Sequence, residues 1–295
     1  MMRLVLALAA GGALLSSLSA AQEPPAAVAA APPPVPAANE WRAVAPENLL
    51  VIDTTKGRIL VELAPQAAPG HVARIVQLAN SGFYDGQRWH RVIDWFMAQT
   101  GDPLGTGEGQ SPYEDLTAEF TFRRGADTPF TPVASPAGTV EGFSLSLPVV
   151  SQPDALMANT SDNKVHGWGT YCPGVAGMAR GAEENSANSQ FFIMRQPYPS
   201  LDKRYTVWGM TVAGLDVVRA LSVGEPPAEP DRMTRVRTAS ALPEGERPAV
   251  RVLDTGSAFF RNMAEQARAA RGADFSVCDL ALPAEVSAPA AYTSG

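Results

Sequence analysis

The sequence predicts a mainly β protein: a closed antiparallel barrel capped by helices, with a long loop insertion and a C-terminal α/β extension. Short β-branched and aromatic runs recur between residues 48 and 239, separated by Gly, Pro, Asn and Asp turn signals. Helix-period apolar patterns occur only near the two ends of that span. Residues 123–168 are rich in Pro, Gly, Ser and Thr and read as a loop, and apolar patterning returns after residue 239.

Taken in order, residues 1–21 carry Arg3, an apolar stretch through Leu14, Leu15 and Leu18, and a small-x-small pattern at Ser19-Ala20-Ala21. The stretch is short for a membrane span, and no cysteine follows it for lipid attachment. It reads as a removable signal peptide, with the mature chain beginning near Gln22 and having no membrane span. Residues 22–47, Ala/Pro-rich at their start, read as an extended linker.

Leu49–Thr54 and Gly57–Leu63 are leucine-rich and β-branched runs joined at Thr55-Lys56-Gly57, where glycine suits a tight hairpin. Pro69 opens a helix with Val72, Ile75, Val76 and Ala79 on one stripe, and Gly82 ends it. Short strands are predicted at 87–92, 96–100, 174–178, 191–194 and 207–210, a second helix at 215–221, and a closing strand at 233–239. In the extension, 240–295, the pattern predicts a strand at 249–253 and a helix carrying Phe259, Phe260, Met263 and Ala267 that stops at Gly272. A further strand is predicted at 275–280.

The chain carries 23 Lys and Arg against 30 Asp and Glu, a net charge of −7, which disfavours nucleic acid as a partner. Cys172 and Cys278 are able to pair in an oxidising compartment, although the sequence does not establish proximity. His71, His90 and His166 lack ligand spacing, and no H-E-x-x-H or G-x-S-x-G occurs. Pro173 follows Cys172, and no histidine base is implied near it. No metal or cofactor is expected.

Two segments carry chemistry: Arg88-Trp-His-Arg-Val-Ile-Asp-Trp-Phe-Met-Ala-Gln99 and Asn188-Ser-Gln-Phe-Phe-Ile193. They combine an arginine, amides and an aromatic and sulfur cluster without a nucleophile. Such a set suits a reaction that makes no covalent bond, and rotation about a prolyl amide is one. Its barrier of roughly 18–20 kcal/mol reflects amide resonance. The twisted state has a pyramidal nitrogen with a lone pair, so a fixed donor aimed there stabilises it above the planar ground state. Arginine remains protonated and presents its donors rigidly.

These segments resemble the cyclophilin family of peptidyl-prolyl isomerases, over about residues 48–239 with the interruption at 123–168. The resemblance implies an eight-stranded barrel with two capping helices and an isomerase that needs no cofactor. It implies Arg91 and Gln99 as catalytic residues. Substrate binding would fall to His90, Phe96, Met97, Gln190, Phe192 and Tyr205, with Leu201 at the pocket base. Ala179 and Arg180 would form the edge that pairs with an extended peptide.

The chain departs from the family pattern at Asp94-Trp95, where Pro-Gly is usual, and at Thr100, where glycine is usual. Ser200 replaces an aromatic residue, with Tyr198 nearby, which is expected to weaken cyclosporin binding. Tyr205 and the loop 183–189 resemble bacterial periplasmic members. The expectation is therefore a monomeric periplasmic isomerase acting on proline-containing segments of unfolded or exported proteins. The alternative is a non-catalytic periplasmic peptide-binding scaffold or chaperone, motivated by Thr100, Ser200 and the two additions.

Overall fold

The predicted runs build three antiparallel sheets in the computed structural model, which describes residues 35–287. The segment read as a signal peptide, residues 22–34 of the segment read as linker, and residues 288–295 lie outside the described residues. The chain is already ordered inside the segment read as linker: β1 (Trp41–Ala43) pairs with a strand of the C-terminal extension. β2 (Leu49–Thr54) and β3 (Gly57–Leu63) form the expected hairpin, with Gly57 at φ 136°. α1 (Pro69–Asn80) buries Val72, Ile75 and Ala79 as expected, with Leu78 in place of the half-buried Val76. The Glu119 carboxylate caps its first turn, accepting the Gly70 and His71 N–H groups at 3.1 and 3.0 Å.

β4 (Arg91–Val92) and β5 (Met97–Thr100) come next. The insertion then supplies β6 (Phe122–Arg124), β7 (Thr131–Ala134), β8 (Val140–Ser144), β9 (Leu147–Ser151) and β10 (Val165–Gly169). β11 (Val175–Met178), β12 (Phe191–Met194), β13 (Val207–Ala213), α2 (Leu215–Ala220) and β14 (Met233–Thr238) complete the main body. The extension adds β15 (Ala249–Leu253), α3 (Ala258–Arg271) and β16 (Ala284–Ser287).

Eight strands form one curled sheet in the order β14-β2-β3-β13-β11-β12-β5-β4. The expected closed barrel is not formed, because β4 and β14 remain edges. Among the described residues the seam is crossed by isolated bridges, Arg88 to Arg232 and Val92 to Gly224, and by a Gly86 N–H bond to the Met233 carbonyl, without a continuous ladder. The physical reason lies in the facing segment, where Pro226, Pro227 and Pro230 have no N–H to donate to a ladder.

The insertion is a second correction. In place of a long loop it is a five-stranded sheet, β6-β10-β9-β8-β7. In the extension, the strand expected at 275–280 is instead a 3-10 turn, Val277–Asp279, which follows another at Gly272–Asp274. Ser276 stops extension there: its Oγ accepts the Cys278 N–H at 3.2 Å, while its own N–H donates to Asp279 at 2.9 Å.

Among the described residues three cores share the main sheet, and two of them flank the strands β4, β5 and β12. Side chains alternate across a strand, so Val92, Ala98, Phe191 and Ile193 enter a core with Trp89, Trp208 and the buried faces of α1 and α2. Phe191 meets Tyr84 and Trp208 edge-on, each at 5.4 Å. The alternate residues Met97, Phe192 and Met194 join a second core with Phe143, Val149, Phe260, Val277 and Leu280. That core unites the main sheet, the insertion and the extension. The Cys172–Cys278 disulfide ties the extension to the link between β10 of the insertion and β11, with Cα atoms 5.0 Å apart.

Candidate active site

Strand register assembles the site. Arg91 lies opposite Gln99 across β4 and β5, and Gln99 lies opposite Phe192 across β5 and β12. Directly opposed residues project to the same face, and Met97, two residues from Gln99, shares it. Arg91, Phe96, Met97, Gln99, Ala179, Arg180, Phe192, Leu201 and Tyr205 line one pocket of 230 Å³. Gln190 lies in an adjoining polar cleft of 280 Å³ with Gln99, Ala179 and Arg180 on the shared wall.

His90 is the exception among the expected site residues. Its side chain is buried, 5% exposed, and lines neither the pocket nor the cleft. Adjacent residues of an extended chain face opposite sides: with Arg91 outward, His90 turns inward. Burial pushes its pKa down, against the attraction of Asp102.

A polar chain orients the guanidinium. Arg91 Nη1 donates to Gln99 Oε1 at 3.3 Å, Gln99 Nε2 to Gln190 Oε1 at 2.9 Å, and Gln190 Nε2 to the Gly107 and Gly109 carbonyls at 2.9 and 2.8 Å. On its other side Arg91 Nε donates to Glu225 Oε2 at 2.7 Å. Glu225 is 134 residues away and sits in a proline-rich turn without periodicity, so no sequence pattern pointed to it.

The apolar wall is built from rings. Phe192 stacks on Tyr171 at 5.6 Å and meets Tyr205 edge-on at 6.0 Å. The Arg180 guanidinium covers the Tyr205 ring at 4.7 Å, and its Nε donates to the Arg204 carbonyl at 2.9 Å. Thr100, where the family usually has glycine, is buried and donates its hydroxyl to the Arg88 carbonyl at 2.8 Å, away from the cleft.

A family model described as "Cyclophilin type peptidyl-prolyl cis-trans isomerase/CLD" matches residues 49–238, more than half of the chain. The chain belongs to this cyclophilin family. It is a cyclophilin-type peptidyl-prolyl cis-trans isomerase. A "Probable peptidyl-prolyl cis-trans isomerase" of Brucella suis biovar 1 (strain 1330) is 34% identical over 193 residues, covering 62% of this chain and 75% of the relative. "Peptidyl-prolyl cis-trans isomerase B" of Bacillus subtilis (strain 168) is 31% identical over 168 residues, covering 57% and 85%. The crystal structure of cyclophilin AquaCyp293 from Hirschia baltica is similar with a TM-score of 0.78 and 36% identity, covering 84% of this chain and 94% of that one. That likeness covers more of this cyclophilin than the family domain does. Among the described residues, no helix is long and apolar enough to cross a membrane.

Proposed function

We propose that this isomerase assists the folding of exported proteins, acting as a monomer in the periplasm on proline-containing segments of unfolded chains. The leader pattern of residues 1–21 supports export, and the Cys172–Cys278 bridge suits an oxidising compartment. The proline ring enters the pocket walled by Phe96, Met97, Phe192 and Leu201, and the flanking backbone lies along Ala179 and Arg180. Arg91 then donates to the prolyl nitrogen as it becomes pyramidal.

The observation that carries this reading is the anchoring of Arg91 at the rim of an apolar pocket. Gln99 and Glu225 hold Nη1 and Nε, and Nη2 has no hydrogen-bond partner among the described residues. A donor fixed in advance costs no reorganisation when the amide twists, so its benefit falls on the transition state.

The test is exchange catalysis on an Ala-Ala-Pro-Phe peptide, whose uncatalysed isomerisation takes tens to hundreds of seconds. Arg91→Ala is expected to lower turnover by about 10²–10³-fold, on the scale of removing one oxyanion-hole donor, with an unchanged melting temperature. Full activity in the variant would sink the arginine mechanism. A wild-type rate equal to buffer would favour the scaffold alternative.

A further inference from the structure

Trp95 stands at the tip of the β4–β5 hairpin with 64% of its surface exposed, next to the proline pocket. Tryptophan is highly buried on average, so an open indole at the rim of a cleft marks a contact surface. The tip is firmly built. Ile93 N–H donates to the Met97 carbonyl at 2.8 Å and Phe96 N–H to the Ile93 carbonyl at 3.0 Å. Asp94 accepts from Arg195 Nη2 at 2.7 Å, and the buried Arg195 also donates to the Arg219 and Leu221 carbonyls at 2.7 and 3.4 Å.

The indole stacks on Phe96 at 5.8 Å with planes 23° apart, and Phe96 meets Tyr198 at 4.7 Å. Phe96 lines the proline pocket but not the polar cleft beside it. The aromatic ledge therefore continues the pocket on its Phe96 side, away from the Gln99–Gln190 cleft. Successive Cα atoms lie about 3.8 Å apart across a trans peptide and about 2.9 Å across a cis one. A side chain next to a proline seated on Phe96 thus reaches the open indole face. Asp94, the charge nearest in sequence, is paired with Arg195 at 2.7 Å.

We propose that Trp95, backed by Phe96 and Tyr198, is a further specificity subsite. It takes a large apolar or aromatic side chain of the residue flanking the isomerised proline, on the side away from the Gln99–Gln190 cleft. The inference rests on the reading of the 230 Å³ pocket as the proline site.

Exchange NMR without a coupling protease tests it on the full chain. Two acetylated, amidated series are used, Ala-Xaa-Pro-Ala and Ala-Ala-Pro-Xaa, with Xaa as Gly, Leu, Phe or Trp. In one series wild type is expected to favour Phe over Gly by about tenfold in kcat/KM, the scale of one aromatic pair, with the difference in KM. Trp95→Ala should bring that ratio close to one, and Trp95→Phe should retain most of it. A wild-type ratio near one in both series, with all peptides isomerised, would overturn the subsite and leave the isomerase reading intact. A preference that survives in Trp95→Ala would also overturn it. Absence of catalysis on every peptide would overturn the pocket reading and this subsite with it.

Discussion

Arg91 is held between an acid and an amide, and the two anchors do different work. The Glu225 pair is open to water, with side chains 38% and 52% exposed, and such pairs add only about 0–1 kcal/mol to stability. Glu225→Ala is therefore expected to melt as wild type while kcat falls by about tenfold through lost positioning of the guanidinium. Glu225→Gln, which keeps an acceptor oxygen, should fall between the two. An unchanged kcat in Glu225→Ala would remove this positioning role. Asp202, next to Leu201 at the pocket base, is a second residue with a measurable signature. Burial pushes its carboxyl from 3.8 up to about 6, against hydrogen bonds from Thr170 and the Tyr171 N–H. Between those values the folded state binds more protons than the unfolded one, so this group's contribution to stability declines as pH rises from about 4 to 6. Asp202→Asn keeps an acceptor for Tyr171 and should lose that decline, a difference on the order of 1–3 kcal/mol at pH 7. Urea titrations at pH 4.5 and pH 7 measure it. A constant offset between variant and wild type would exclude Asp202 as the source.

Among the elements, α3 bears on the second core through Phe260, which is 1% exposed and meets Phe143 edge-on at 5.6 Å. Phe260→Ala is expected to cost about 3–5 kcal/mol in urea unfolding; a loss below about 1 kcal/mol would show that the helix merely rests there. Its start was legible in Phe259, Phe260 and Met263 and its end in Gly272, as α1 was in Pro69 and Gly82, because caps and apolar stripes are local signals. Arg91, Phe96, Met97 and Gln99 were legible for a similar reason: one hairpin carries them all. The insertion sheet was hidden because its β8–β9 hairpin turns at Leu145-Ser146, with Leu145 at φ 56°, where Asn or Gly would announce the turn. Pro132 and Gly142 within its strands further disguised it, and Gly142 is needed there because a Cβ would lie 2.3 Å from the Thr131 carbonyl oxygen. The open seam followed from prolines whose pairing role no local pattern reveals, and Glu225 from contact across a long separation. Packing, rather than propensity, decided these elements.

At the scale of the whole molecule, the insertion and the extension behave as one body with the rear of the pocket. The disulfide joins residues separated by 106 positions, and closing a loop of that size stabilises by up to about 4–5 kcal/mol in the chain-entropy model. Cys278→Ser is expected to lower the melting temperature under oxidising conditions and to have little further effect under reducing ones. Mass spectrometry of wild type without reductant should find no free thiol. A melt unaffected by the substitution would show that the two additions hold each other by packing alone.

The shared second core also sets an order of events during biogenesis. Phe192 leans on Tyr171, Tyr171 adjoins Cys172, and Cys172 is bonded to Cys278, while Val277 and Leu280 complete the same core. A ribosome delivers residue 280 long after the residues that line the pocket. The nascent chain thus carries every pocket-lining residue before Val277 and Leu280, which pack in the core behind them, have been made.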